Sequence, residues 1–152
     1  MIWKPHVTVA AIVEQENRFL FVEEEALGQI VINQPAGHLE EGEDLVDAVI
    51  RETQEETAWD FEPTAVVGIY LWQHPEELMT FLRVSFTGNC SQHNPDQLLD
   101  TGIIQALWLS RDELISQNKR LRSPLVLECV DDYLAGTRYP LTILKSLLPQ
   151  NQ

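Results

Sequence analysis

Between Asp44 and Thr57 the chain sets three glutamates beside an apolar stripe, and no other feature limits its fold as much. Val46, Val49, Ile50, Thr53 and Thr57 recur at helical spacing, which predicts a helix with one side on a core. Asp44 and Asp47 supply acceptors and negative charge to its first turn. At 3.6 residues per turn, Glu52, Glu55 and Glu56 fall within an arc of about 100° next to that stripe. Glu52 and Glu56 form a like-charge i,i+4 pair, which destabilises an isolated helix by a few tenths of a kcal/mol. Something must offset that repulsion. One candidate is Arg51, pairing with Glu43 or Glu55 on a solvated charged face. The other is a divalent cation, Mg²⁺ or Mn²⁺, which favours several oxygen ligands and accepts a phosphate among them.

Charge narrows the function classes. Ten Lys and Arg stand against 24 Asp and Glu, a formal net charge of −14. Such a chain repels a phosphate backbone at long range, which argues against nucleic acid as a partner. A compact phosphorylated small molecule stays compatible if cations sit between it and clustered carboxylates. The length of 152 residues suits one domain over 1–152. The apolar run Val7 to Val13 falls far short of the roughly 20 residues that span a bilayer, and no basic segment precedes it. A cytoplasmic protein with no membrane partner is expected, monomeric, with a dimer as the alternative. Cys90 and Cys129 lack metal-site spacing and are expected to be free thiols.

The rest of the chain alternates strand signals with two further helices. Residues 5–14 read as a strand, Gln15 to Arg18 as a turn, and Phe19 to Val22 as the start of a second strand, together a hairpin. Thr64–Gln73, Thr80–Thr87 and Ile103–Leu109 read as strands. Ser110 to Glu113 is a capping-box signal, and Ser123-Pro124 opens a last amphipathic helix. The fold class expected is α/β (α+β), a mixed sheet clasped between helices.

Gly37, Glu43, Arg51, Glu52, Glu55 and Glu56 stand at the spacing G-x5-E-x7-R-E-x-x-E-E. At ordinary residue frequencies a chance match is on the order of 10⁻⁵ to 10⁻⁴. The segment resembles the signature of the Nudix hydrolase family. Two positions depart from it: Thr53 replaces an aliphatic residue, and Ala58 replaces the glycine that ends the helix. Gly37 is expected to let the backbone turn tightly and expose the Ala36 carbonyl, while Glu43 pairs with Arg51 and locks loop to helix. The resemblance implies an α/β/α sandwich and a metal-dependent hydrolase. It implies Ala36, Glu52, Glu55 and Glu56 as Mg²⁺ (or Mn²⁺) ligands, with Arg51 in the catalytic set. Further stretches, including Asn33 to Glu40 and Leu121 to Val126, resemble a phosphatase branch of the family. That branch implies release of phosphate from nucleoside tri- and diphosphates, hydroxymethylpyrimidine diphosphate and thiamine diphosphate.

Outside the helix, Trp72 and Arg83 are the first choices for substrate contact, with His38 in the loop of the signature. Tyr70 and Phe81 have stacking and core packing as rival readings. Asp100 is either an extra carboxylate of the site or a turn residue before Thr101-Gly102. His6, His74 and His93 have no metal-ligand spacing. Two other functions compete: an RNA-end or other nucleotide pyrophosphohydrolase, against which the net charge argues, and a silent nucleotide-sensing domain, against which the intact glutamates argue.

Overall fold

The computed structural model describes residues 1–149. Strands β1 (His6–Ile12), β5 (Ala36–His38), β6 (Asp60–Gln73) and β7 (Thr80–Ser91) form one sheet in the order β5-β1-β7-β6. β1 runs parallel to β7 and antiparallel to β5, so this sheet is mixed, as expected. Strands β2 (Glu14–Gln15), β3 (Arg18–Ala26), β4 (Gln29–Asn33) and β8 (Ile103–Leu109) form a second sheet, antiparallel around β3.

The helices α1 (Leu45–Thr57), α2 (Arg111–Ser116) and α3 (Leu125–Leu134) cover both faces of the first sheet. Val9, Ala11 and Val13 point to the α1 side, where they join Ala48, Val49, Val66, Val84 and Phe86. Ile12 points the other way, to Leu114 of α2 and Val126, Cys129 and Val130 of α3. The apolar run Val9 to Val13 follows from this, since a strand covered on both faces has no polar side. Both cysteines are free. Among the described residues no helix is long and apolar enough to cross a membrane.

The expected hairpin is present at its turn, with Glu14 opposite Phe19, but its first arm is short. β3 does not pair with β1; it pairs with β2, through a turn in which Glu16 and Asn17 both have positive φ (51° and 65°). That geometry matches the twist of a two-residue hairpin. The chain leaves the first sheet after Ile12 and enters the second within two residues. β4 escaped the sequence reading because its turn is Leu27-Gly28, both at positive φ, and leucine is no turn signal.

α1 begins at Asp44, whose side chain accepts from the Asp47 N–H at 2.8 Å. It ends at Ala58, which adopts the left-handed conformation (φ 61°) usually left to glycine, its N–H donating to the Gln54 carbonyl. Thr53 and Thr57 return their buried hydroxyls to the carbonyls of Val49 and Thr53. The capping box of α2 is present as read, Ser110 and Glu113 bonding reciprocally. α3 starts one residue later than its sequence signal, with Pro124 at the N-cap.

Gly88 on β7 lies where β6 bulges at Pro63. A Cβ there would sit 2.0 Å from the Glu62 carbonyl oxygen and 2.7 Å from the Pro63 Cα, both backbone atoms that cannot swing aside. Gly88→Ala is therefore expected to destabilise the fold by about 1–3 kcal/mol. Thermal melts should show this as a fall of about 2–4 °C for each kcal/mol; an unchanged melting temperature would refute the close approach.

Candidate active site

Helix α1 packs against β5, the short edge strand that carries the signature glycine. β5 pairs with β1 through Gly37 opposite Val9. Ala36, one residue earlier, turns its N–H away from the ladder and donates to Glu56 Oε1 at 2.9 Å. In a strand the N–H and carbonyl of one residue share an edge, so the Ala36 carbonyl leaves on the same side.

Gly37 has a different job from the one its sequence context suggests. It is an ordinary strand residue with no positive φ, so no tight turn depends on it. A Cβ at this position would meet the Glu52 carboxyl carbon at 2.1 Å. Glycine is needed because the Glu52 carboxylate occupies the space of its missing side chain.

Arg51 organises the carboxylates. Its Nε and Nη2 hold both oxygens of Glu43, at 2.7 and 2.9 Å, a bidentate pair that ties the loop to the helix. Nη1 donates to Glu52 at 2.7 Å and to Glu55 at 3.2 Å, and Nη2 also donates to the His38 carbonyl at 3.1 Å. Hydrogen bonding by Arg51 holds the Glu43 carboxyl below its ordinary range.

Glu52 and Glu56 are not beside the buried stripe, as helical spacing suggested, but inside it, 8% and 6% exposed. Ile50 lies only partly buried. Burial raises the pKa of Glu52 against the pull of Arg51. For Glu56, burial first and then the charges of Glu24, Glu52 and Asp100 push it up to about 9, opposed by the Ala36 N–H.

Carboxylate oxygens of Glu52, Glu55 and Asp100 lie within 4.8 Å of one another. Asp100 reaches the cluster because its N–H donates to the Glu55 carbonyl at 2.9 Å, which fastens the loop before β8 to the end of α1. Of the four groups expected to hold a cation, Glu52 and Glu55 thus converge with Asp100, while Glu56 and Ala36 are joined to each other.

A cleft of about 350 Å³ opens beside this cluster. Its wall carries Glu24, Glu52, Glu56 and Asp100 together with Trp72, Phe81, Arg83 and Arg122, and also His38 and Glu40. His38, Trp72 and Arg83 therefore share one cavity with the glutamates. Burial, then the charges of His6 and Arg122, lowers the His38 pKa. His6, read as ordinary, stands between His38 and Phe81, ring centroids 5.4 and 5.3 Å away. Tyr70 is committed elsewhere, its hydroxyl donating to Asp132 at 2.7 Å. Arg122 was missed: it bonds Glu24 at 2.5 Å, and nothing in its local sequence marks a cleft residue because Glu24 is 98 positions away.

The pairing of a buried glutamate helix with a glycine edge strand defines a class, and the comparison with protein families agrees. The NUDIX domain model matches residues 4–128, so the chain belongs to the Nudix family and is a Nudix hydrolase. Among particular relatives, it is 43% identical to the phosphatase NudJ of Escherichia coli K12 over 143 residues, 94% of this chain and 92% of that protein. A solved NUDIX hydrolase from Nitrosomonas europaea is 47% identical, with a TM-score of 0.95, and the match covers 97% of this chain and 100% of that one. A MutT NUDIX hydrolase from Burkholderia pseudomallei shares the fold at 16% identity and a TM-score of 0.73, over 86% of this chain and 98% of that one.

Two outcomes follow from this geometry. Gly37→Ala forces the Glu52 carboxylate out of its place against β5, and hydrolase activity is expected to fall at least about tenfold, the cost of one misplaced group. A Gly37→Ala enzyme of normal activity and normal fold would contradict the close fit. The second concerns pH. Raised to about 9 in the fold from an ordinary 4.5, the Glu56 carboxyl keeps its proton where the unfolded chain has lost it. Its contribution to stability is complete below the lower value and is lost as pH rises toward the upper one. In chelator, the melting temperature is expected to fall between about pH 5 and pH 8, and Glu56→Gln, neutral throughout, should remove part of that fall. Parallel pH profiles for the two proteins would refute the assignment.

Proposed function

We propose that this hydrolase cleaves phosphoric anhydride bonds of small phosphorylated molecules with a divalent cation, Mg²⁺ first, and releases phosphate. The observation that carries this is the convergence of Glu52, Glu55 and Asp100 on one point at the cleft wall. Carboxylate oxygens are the donors that hard cations select, and Nudix hydrolases generally work with divalent metals. The buried carboxyls Glu52 and Glu56, both shifted toward the neutral form, fit the same reading, because a cation restores the charged form that burial disfavours.

Glu52, Glu55 and Asp100 would hold the cation, with Glu56 and the Ala36 carbonyl beside it as the further oxygens. When bound, the cation neutralises charge on the diphosphate and activates water for attack at phosphorus. Arg51 positions Glu52 and Glu55 and keeps Glu43 and the His38 backbone in register with them. The Ala36 N–H, donating to Oε1, fixes the orientation of the Glu56 carboxyl. Substrate groups beyond the phosphates lie along Trp72, Phe81 and Arg83, with His38 at the rim. Candidate substrates are nucleoside tri- and diphosphates, hydroxymethylpyrimidine diphosphate and thiamine diphosphate. Chemical similarity to the substrates of a phosphatase such as NudJ motivates that set.

The test is hydrolysis of this panel with and without Mg²⁺, scoring orthophosphate and pyrophosphate separately. Mg²⁺-dependent orthophosphate release is expected. Glu56→Gln should retain a folded protein and lose most turnover, by about 10²-fold or more, a typical loss for one group acting on transition-state charge. Near-normal turnover in that variant would remove Glu56 from the site, and panel-wide inactivity of the Mg²⁺-loaded wild type would overturn the function.

A further inference from the structure

The two arginines on the cleft wall are held in opposite ways. Arg83 is buried, 6% exposed, and its two Nη atoms donate to the side-chain oxygens of Gln34 and Asn33. Arg122 is the accessible one, with 46% of its side chain exposed. Among the described residues its guanidinium makes one hydrogen bond, from Nη1 to Glu24 Oε1 at 2.5 Å. A guanidinium has five N–H donors and no acceptor, so most of its donors stay free.

The backbone beneath Arg122 is fixed. Its N–H donates to the Ile32 carbonyl at 2.9 Å, and Leu121 bridges Ile32 in parallel, so this segment lies along β4 like a short added strand. Glu24, on the neighbouring β3, is 8% exposed. Its Oε1 accepts from Asn33 Nδ2 at 3.3 Å as well as from Arg122. The guanidinium is thus tethered at one corner to an anchored carboxylate. Both members of the pair line the same cavity as Glu52, Glu56 and Asp100. Their charges act there too. Burial, then His6, then Arg122 lower the His38 pKa, and burial raises that of Glu56, with Glu24 the largest of the charges that add to it.

We propose that Arg122 is a substrate-binding residue whose free N–H groups bond oxygens of a phosphate of the anhydride, whatever ring the substrate carries. This rests on the anhydride-hydrolase reading and adds to it a contact between the protein and the phosphates. As a counter-ion to Glu24, Arg122 needs one bond. The donors that remain suit a phosphate, whose several acceptor oxygens match a planar fork.

The test is a double-mutant cycle of Arg122→Met and Glu24→Gln, with Mg²⁺. Glu24→Gln keeps an acceptor for Arg122 and removes the charge that Arg122 neutralises. One readout is kcat/KM on adenosine, uridine and hydroxymethylpyrimidine diphosphates. The other is calorimetric affinity for methylene-bridged adenosine diphosphate, which has no anhydride bond to cleave. Arg122→Met should lower both by about tenfold or more, the loss expected of one charge-assisted hydrogen bond. The factor should be similar for all the diphosphates, and the same fall should separate Glu24→Gln from the double variant. That second comparison carries the test if Arg122→Met, which strips buried Glu24 of its counter-ion, fails to fold in thermal melts. A fall that vanishes in the Glu24→Gln background means that Arg122 only neutralises Glu24, and overturns the proposal. So does a fall confined to one ring. Cleavage and binding that ignore Arg122→Met overturn this proposal alone. A wild type that neither cleaves the diphosphates nor binds the analogue overturns the anhydride-hydrolase reading and, with it, this one.

Discussion

One guanidinium holds the catalytic end of the molecule together. Arg51 grips Glu43 with two nitrogens and still reaches Glu52, Glu55 and the His38 backbone. Its own pKa is raised, the hydrogen bond it donates to Glu43 being the largest cause. Only arginine has donors enough, spread in a plane, to satisfy this many acceptors at once. Its contacts run in three directions: back to the loop at Glu43, along the helix to Glu55, and across to β5 through His38. Loop, helix and edge strand are thereby fixed relative to each other, and the placement of Glu52 against Gly37 depends on all three.

The cluster is nevertheless over-supplied with negative charge. Among the described residues Arg51 is the one cation paired with Glu43, Glu52 and Glu55, with Glu56 and Asp100 close behind. Burial shifts both carboxyls toward the neutral form, Glu52 against the pull of its Arg51 partner and Glu56 with the Ala36 N–H opposing it. Exposed surface clusters relax into water; these two cannot, because both lie on the buried side of α1. The solvated-face reading of the helix therefore fails on burial, and burial is invisible to helical periodicity. Spacing placed the glutamates correctly on one arc, yet only the wrapping of β5 over α1 turns that arc inward.

That contrast recurs through the chain. What depends on local spacing was legible: the α1 stripe at Val49 and Thr53, the capping box at Ser110, and the Glu43–Arg51 pair two turns apart. What depends on pairing between distant segments was not. β1 reads equally well as a hairpin arm or a central strand, and its partners Gly37 and Val84 are far away in sequence. Asp100 looked like a turn residue with an even claim on the site; the Glu55 carbonyl decides where its loop lies. Arg122 could not be found at all from neighbours, since its partner is on β3. Gly37 was found for the wrong reason: a glycine in an acidic loop suggests a turn, whereas this one makes room for a side chain from another element.

The cleft brings both signs of charge onto one wall, and this bears on how an acidic protein can take an anionic substrate. Carboxylates from α1 and the Asp100 loop line it together with Arg83 and Arg122, which are held by groups of the second sheet, Asn33 and Glu24. A molecule carrying net charge −14 repels a polyphosphate during approach, and the field of two arginines, one of them buried, does not reverse that at long range. Within the cleft the balance changes, because screening is weak where water is excluded and the nearest charges dominate. Under the proposed reading the two sets of charges divide the work. A cation held by Glu52, Glu55 and Asp100 would offset their repulsion of phosphate oxygens, whereas Arg83 and Arg122 would attract an anionic substrate without one. The carboxylates would then set whether any bond is broken, and the arginines would bear on which molecules are held.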